Sequence, residues 1–280
     1  MKLIECPRDA MQGLGHFVPT DLKIKYLNTL LAVGFDTLDF GSFVSPKAIP
    51  QMRDTAEVLA GLTVAETKTK LLAIVANVRG AEQALASGLI HYVGFPLSVS
   101  ETFQQRNTKK SIAEALTDIA AMQSLCEKAG KELVVYLSMG FGNPYGDPYS
   151  PDLVSEFTRQ LVELGVRIVA PSDTVGSSTP EAIEVLFKRL IGQFPDVEFG
   201  AHLHARPGDA PAKVRAALRA GVRRIDGALR GFGGCPMATD QLTGNLPTEE
   251  IIQTLTQEGL SLTINQEAFQ KALTLSAGVF

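Results

Sequence analysis

Residues 151–203, PDLVSEFTRQLVELGVRIVAPSDTVGSSTPEAIEVLFKRLIGQFPDVEFGAHL, decide the fold. Pro151–Leu164 carries apolar residues at helical spacing and opens on a proline behind Ser150, the order in which helices start. Gly165 closes it, and the short apolar run Arg167–Ala170 follows. Thr179 and Pro180 then open a second helical pattern through Phe194, and Val197–Leu203 is a second apolar run. Helix, strand, helix, strand at this spacing implies a parallel sheet with right-handed crossovers.

The same alternation extends in both directions. Towards the N-terminus, strands are predicted at Lys2–Cys6, Thr37–Phe40, Leu71–Val75, Ile90–Phe95 and Leu133–Ser138. Asp21–Val33 (behind Thr20), Gly80–Ser87 and Ser111–Ala129 read as helices between them. Beyond residue 203 come a helix at Ala210–Ala220 and a strand at Arg224–Gly227. Several helices close on glycine, as at Gly34 and Gly130. About eight strands, with no Gly-x-Gly-x-x-Gly in residues 6–15, predict a closed (β/α)8 TIM barrel rather than an open doubly wound sheet. Thr248–Gln257 and Gln266–Ser276 are extra C-terminal helices flanking it. No linker or composition shift divides residues 1–280, so one barrel domain is expected.

The chain has 280 residues, 45% hydrophobic and 20% charged, with a net charge of −4. That is ample core material, and Lys109-Lys110 and Arg223-Arg224 are isolated basic pairs, so no nucleic-acid partner is expected. Cys6, Cys126 and Cys235 are odd in number and lack Cys-x-x-Cys spacing, which fits a reducing cytoplasm. The N-terminus carries charge at once, and no run approaches the ~20 apolar residues of a membrane span, so neither a signal peptide nor a membrane partner is expected.

In such a barrel the chemistry gathers at the C-terminal ends of the strands. Those positions hold Arg8 and Asp9, Asp39 and Ser42, Asp173 and Thr174, His202 and His204, and finally Cys235 and Asn245. Strand alternation puts His202 and His204 on one face and Leu203 on the other. Two imidazoles, with a carboxylate from Asp9 and an amide oxygen from Asn245, suit an octahedral Mg²⁺ or Mn²⁺ with positions open to substrate. The plain alternative is a pair of polar residues hydrogen-bonding to loops. Arg8 is either an ion-pair partner for the loop or a fixed cation aimed at a developing oxyanion. Asp39 and Asp173 are either orienting groups or helix N-caps, Asp173 being the better candidate for both. Cys235 lies in Gly231-Phe-Gly-Gly-Cys-Pro-Met-Ala238, a turn that brings a thiol near a ligand or merely contains one.

Taken in order, these elements resemble the 3-hydroxy-3-methylglutaryl-CoA lyases of the DRE-TIM metallolyase superfamily, over nearly the whole chain. The resemblance rests on Pro7-Arg8-Asp9-Ala10-Met11-Gln12, Gly41-Ser42-Phe43-Val44-Ser45-Pro46-Lys47 with Pro50-Gln51-Met52, Ser172-Asp173-Thr174-Val175-Gly176, His202-Leu203-His204, Gly233-Gly234-Cys235-Pro236 and Gly244-Asn245-Leu246. It implies a divalent cation on Asp9, His202, His204 and Asn245, and retro-Claisen cleavage of the acyl-CoA to acetoacetate and acetyl-CoA. It further implies Arg8 at the enolate oxygen, Cys235 and His202 in proton transfer, and Asp39 and Asp173 as further catalytic residues. Gln12, Ser42 and Thr174 would contact substrate. An acyl-CoA partner, a possible homodimer and a place in leucine degradation follow in the same way.

Gly13-Leu14-Gly15-His16 stands where relatives often carry Asn-Glu-Lys, so carrier phosphates would need other cations, with His16 or Lys109-Lys110 as candidates. A sister metallolyase cleaving or condensing another hydroxy or keto acid is the nearest alternative. A non-catalytic metal- or acyl-CoA-binding paralogue is the more distant one.

Overall fold

The computed structural model describes residues 1–234 and 243–280. Eight strands, β1 (Lys2–Glu5), β2 (Thr37–Ser42), β3 (Lys70–Ile74), β4 (Ile90–Ser98), β5 (Glu132–Ser138), β6 (Ile168–Asp173), β7 (Glu198–Ala205) and β8 (Arg224–Gly227), pair in parallel. Pairing of β1 with β8, Ile4 opposite Asp226, closes the ring. The expected (β/α)8 barrel is therefore present.

The helices are α1 (Pro7–Gln12), α2 (Thr20–Val33), α3 (Thr55–Ala60), α4 (Val78–Ala86), α5 (Glu101–Thr108), α6 (Ile112–Ala129), α7 (Pro151–Glu163), α8 (Pro180–Gln193), α9 (Ala210–Arg219), α10 (Thr248–Gln257) and α11 (Gln266–Val279). Ser150 and Thr179 cap α7 and α8, accepting from the amides of Leu153 and Ala182. Thr20, expected ahead of its helix, lies inside it, and its hydroxyl donates to Asp54 instead. Helix α11 lies along α2: the Asn265 amide bonds to the Val33 carbonyl, and the Phe280 ring meets Tyr26 edge-on at 6.1 Å. The C-terminal helices thus bury apolar surface on the outer wall of the barrel.

Three short helices and one strand were not legible in the sequence. α1, α3 and α5 span only 6, 6 and 8 residues, too few for a helical period to show. The two-residue strand β9 (Gly244–Asn245) runs antiparallel to the end of β7, with Asn245 opposite His204.

The barrel interior has two unlike halves. On β3 to β6 it is filled by Leu72, Ile74, Tyr92, Val134, Tyr136, Ile168 and Ala170. The β1, β2, β7 and β8 side carries Cys6, Asp39, His202, Arg224 and Asp226, all buried except the partly exposed His202. Gly200 makes room there: a Cβ would sit 3.1 Å from the Arg224 side chain and 3.4 Å from Ala170.

Candidate active site

A cavity of about 140 Å³ opens at the C-terminal end of the strands. That is well beyond the roughly 10–15 Å³ that one water needs. Arg8, Asp9, Gln12, Ser42, Thr174, His202 and His204 all line it, joined by Tyr136, Ser138 and Ser172. The last three were not singled out from the sequence, although Ser138 ends a predicted strand and Ser172 follows another.

Arg8 and Asp9 sit in α1, the turn of helix directly after β1, so both project over the barrel mouth. Arg8 is clamped on both sides. Its Nη2 donates to Asp39 at 2.6 Å and its Nε to the same carboxylate at 3.0 Å, while Nη1 reaches Asp9 at 3.2 Å and Gln12 at 2.9 Å. A planar fork held at four points cannot swing, and a rigid cation is what charge stabilisation requires. Gln12 closes the loop by donating to Asp9 at 2.7 Å. Burial opposes ionisation of Asp9, but Arg8, the two imidazoles and Asn245 more than offset it and hold the carboxyl down at about 2. Asp39 is fully enclosed, and burial pushes its carboxyl up to about 6 against the pull of Arg8.

His202 and His204 face the same way from β7, rings 5.4 Å apart. His202 rests edge-on against Tyr136, and its Nδ1 lies 3.1 Å from Asp226 Oδ2. Burial works against its protonation, yet that hydrogen bond and the charges of Asp226 and Asp9 raise its pKa. Burial, reinforced by His202, lowers His204 to about 4, so this imidazole is neutral at physiological pH. Among the described residues, both His204 ring nitrogens are buried without a partner at hydrogen-bond geometry, the Thr174 backbone lying close by. Buried polar atoms are rarely left so, and a neutral, unpartnered imidazole is the form that ligates a metal.

One donor atom each from Asp9, His202 and His204 lies within 4.8 Å of the others. Asn245, brought up by β9, donates its amide to Asp9 at 2.6 Å and to the Phe232 carbonyl at 2.9 Å. The donor set of carboxylate, two imidazoles and an adjacent amide fits a divalent cation. Gly233, at φ +106°, packs against these residues. A Cβ there would lie 2.5 Å from Asn245 Nδ2 and 3.0 Å from the Asp9 carbonyl. The glycine turn therefore departs from the edge of the cluster. Cys235 itself lies outside the described residues.

Asp173 is not brought into the cavity. Ser172 and Thr174 point inward, so alternation turns Asp173 outward, where it binds Lys213 at 2.7 Å and the hydroxyl of Ser178 at 2.5 Å. The N-cap of α8 is Thr179, so Asp173 does not cap that helix either. Lys213 also donates to the His204 carbonyl at 2.7 Å, tying this outer pair to the strand that carries the histidines. Lys109 ends α5 just beyond the cavity residues Asn107 and Thr108, while Lys110 is paired with Asp118. Asp226 was missed, although it shares a strand face with Arg224 two residues earlier, a signal of a polar barrel interior.

The HMGL-like family model matches residues 3–275. The hydroxymethylglutaryl-CoA lyase YngG of Bacillus subtilis is 33% identical over 266 residues, covering 95% of this chain and 88% of the relative. The mitochondrial hydroxymethylglutaryl-CoA lyase of Bos taurus is 33% identical over 281 residues, 100% of this chain and 84% of the relative. Among solved structures, the B. subtilis HMG-CoA lyase superposes with a TM-score of 0.91 at 32% identity, covering 98% of this chain and 91% of that one. An HMG-CoA lyase from Acinetobacter baumannii, in complex with coenzyme A and 3-methylmalate, gives 0.91 at 28% identity over 99% and 90%. The matching family model, the full-length relatives and the shared barrel lead to one conclusion: the chain belongs to the HMGL-like family.

Proposed function

We propose that this protein is a divalent-metal-dependent carbon–carbon lyase that cleaves 3-hydroxy-3-methylglutaryl-CoA to acetoacetate and acetyl-CoA. The observation that carries the reading is the convergence of Asp9, His202 and His204 within 4.8 Å, beside a guanidinium fixed 3.2 Å from Asp9. A cation held by Asp9, His202, His204 and Asn245, Mg²⁺ or Mn²⁺ by this donor set, would lower the pKa of the substrate's tertiary hydroxyl.

The reaction requires that hydroxyl to lose its proton while the C2–C3 bond breaks. C3 becomes the ketone of acetoacetate, and the bonding pair passes to C2 as the enolate of acetyl-CoA. Arg8 would meet the enolate oxygen, and Asp39 keeps its guanidinium in place. His202, backed by Asp226, is suited to accept the hydroxyl proton. Cys235 would return a proton to C2, since a thiol with an ordinary pKa of about 8.5 can donate near neutral pH. Gln12, Ser42 and Thr174 would contact the substrate, and Asp173 would act from behind through Lys213 and β7.

Residues 1–280 act as one domain in this reading. A homodimer in the cytoplasm, serving leucine breakdown, completes it. Among the described residues Cys6 and Cys126 are unpaired, and no helix is long and apolar enough to cross a membrane. The test compares 3-hydroxy-3-methylglutaryl-CoA with the free acid in the presence of Mg²⁺, following acetoacetate. Acetoacetate from the thioester alone is expected. Release from the free acid alone would overturn the carrier assignment, and release from neither would overturn the reaction.

A further inference from the structure

A second set of donors shares His202 with the first. Cys6 Sγ, a nitrogen of His202 and a carboxylate oxygen of Asp226 lie within 4.8 Å of one another. Cys6 is fully buried, and the contact recorded for its sulfur is a long one, 3.9 Å to the Ile4 carbonyl. Asp226 is 1% exposed, and among the described residues its Oδ1 has no hydrogen-bond partner. The Tyr136 hydroxyl, also buried, has none among them either. Unsatisfied buried oxygens beside a thiol and an imidazole are costly, and they mark a place where something binds.

The geometry points to a second cation site, formed by Cys6, Asp226 and His202 Nδ1 and selective for thiophilic divalent ions such as Zn²⁺. Nδ1 is the nitrogen facing Asp226, which leaves Nε2 for the cluster with Asp9 and His204. Sulfur, nitrogen and carboxylate oxygen form a Zn²⁺-type donor set, with bonds of about 2.0–2.3 Å. Tyr136 or a water can supply the fourth position. Mg²⁺ demands near-octahedral oxygen ligation and keeps its waters, so it does not suit this pocket. The ion can enter through the cavity, which His202 and Tyr136 both line. On binding, the thiol proton and the proton on Nδ1 leave to solvent, and His202 becomes shared between two ions. The proposal does not rest on the lyase reading, since every readout below is binding.

The metal-free full-length protein would be titrated with Co²⁺ as a spectroscopic stand-in for Zn²⁺. Two equivalents should bind, one of them giving a thiolate-to-cobalt charge-transfer band that Zn²⁺ displaces and excess Mg²⁺ does not. Cys6→Ala should remove the band and one equivalent, whereas Cys235→Ser should keep both. Asp226→Asn, which leaves the thiol and the barrel packing intact, should weaken the band-forming equivalent by about tenfold or more. A single equivalent without the band would overturn the site. So would a band that survives Cys6→Ala, or one that disappears in Cys235→Ser.

Discussion

The two halves of the barrel interior do different work with the same backbone. Between β3 and β6, Leu72, Val134, Ile168 and their neighbours fill the space by shape alone. Between β7 and β2, Asp39, His202 and Asp226 line the interior with Arg8 and Asp9 above them at the mouth, held by hydrogen bonds of 2.6–3.2 Å. An apolar wall gains about 25 cal/mol per Å² buried and asks little of its neighbours. A buried charge is tolerated only when paired, so each polar residue on the other side dictates the next. One half therefore holds the barrel's shape, and the other spends stability on a rigid, charged site.

The largest effect should come from the polar half. His204→Ala should lower divalent-metal affinity by more than about 100-fold, measured by Mn²⁺ binding, and turnover by about 10³-fold, because several kcal/mol of charge stabilisation is lost. Its melting temperature should fall by less than that of a core truncation, since the imidazole borders the cavity. Full turnover after exhaustive chelation would break the comparison at its root.

Leu72→Ala probes the other half and should show the reverse pattern. It removes a fully buried side chain, at a cost of about 2–5 kcal/mol in denaturant unfolding, and should leave metal affinity unchanged. A loss of metal binding without a loss of stability would mean that the halves are not separable.

The smallest effect concerns Glu5, on the outer side of β1, where it accepts from the Leu229 amide at 2.9 Å and the Thr248 hydroxyl at 2.5 Å. Burial pushes its carboxyl up to about 8, against an ordinary value of 4.5. Between those values the folded state holds a proton that the unfolded state has released. The group's contribution is thus full below pH 4.5 and is lost as the pH rises through 8, by at most about 1.4 kcal/mol per unit. Melting temperatures from pH 6 to 9 should fall more steeply for the parent than for Glu5→Gln. Parallel slopes would show that Glu5 ionises normally.

Much of this is legible in the sequence alone. The βα alternation, the capped helices and the paired histidines depend on neighbours a few residues apart, and Ser150, Thr179 and His202–His204 all sit as read. Thr20 did not, because Asp54, distant in sequence, offered its hydroxyl a partner in place of the helix end. Asp173 lies at a strand end as expected, but whether it faces the cavity or Lys213 depends on a one-residue phase that strand limits leave open. Asp226 went unread because its one local signal, Arg224 on the same strand face, says that the interior is polar there and not that His202 is the partner.

By itself the sequence determined the barrel and the inventory of chemistry: Arg8, Asp9 and two histidines at the ends of predicted strands, and an asparagine in the segment after the eighth. Periodicity and capping are local, so a linear chain records them. Closure of β1 onto β8, the clamp of Asp39 on Arg8, the delivery of Asn245 by β9 and the meeting of Cys6, His202 and Asp226 were decided only in three dimensions. Those contacts join residues up to 236 positions apart, as between Asp9 and Asn245, and burial turns such proximity into shifted pKa values and unpaired donors. No local pattern encodes that, because the energy of a buried charge is set by what the rest of the fold places beside it.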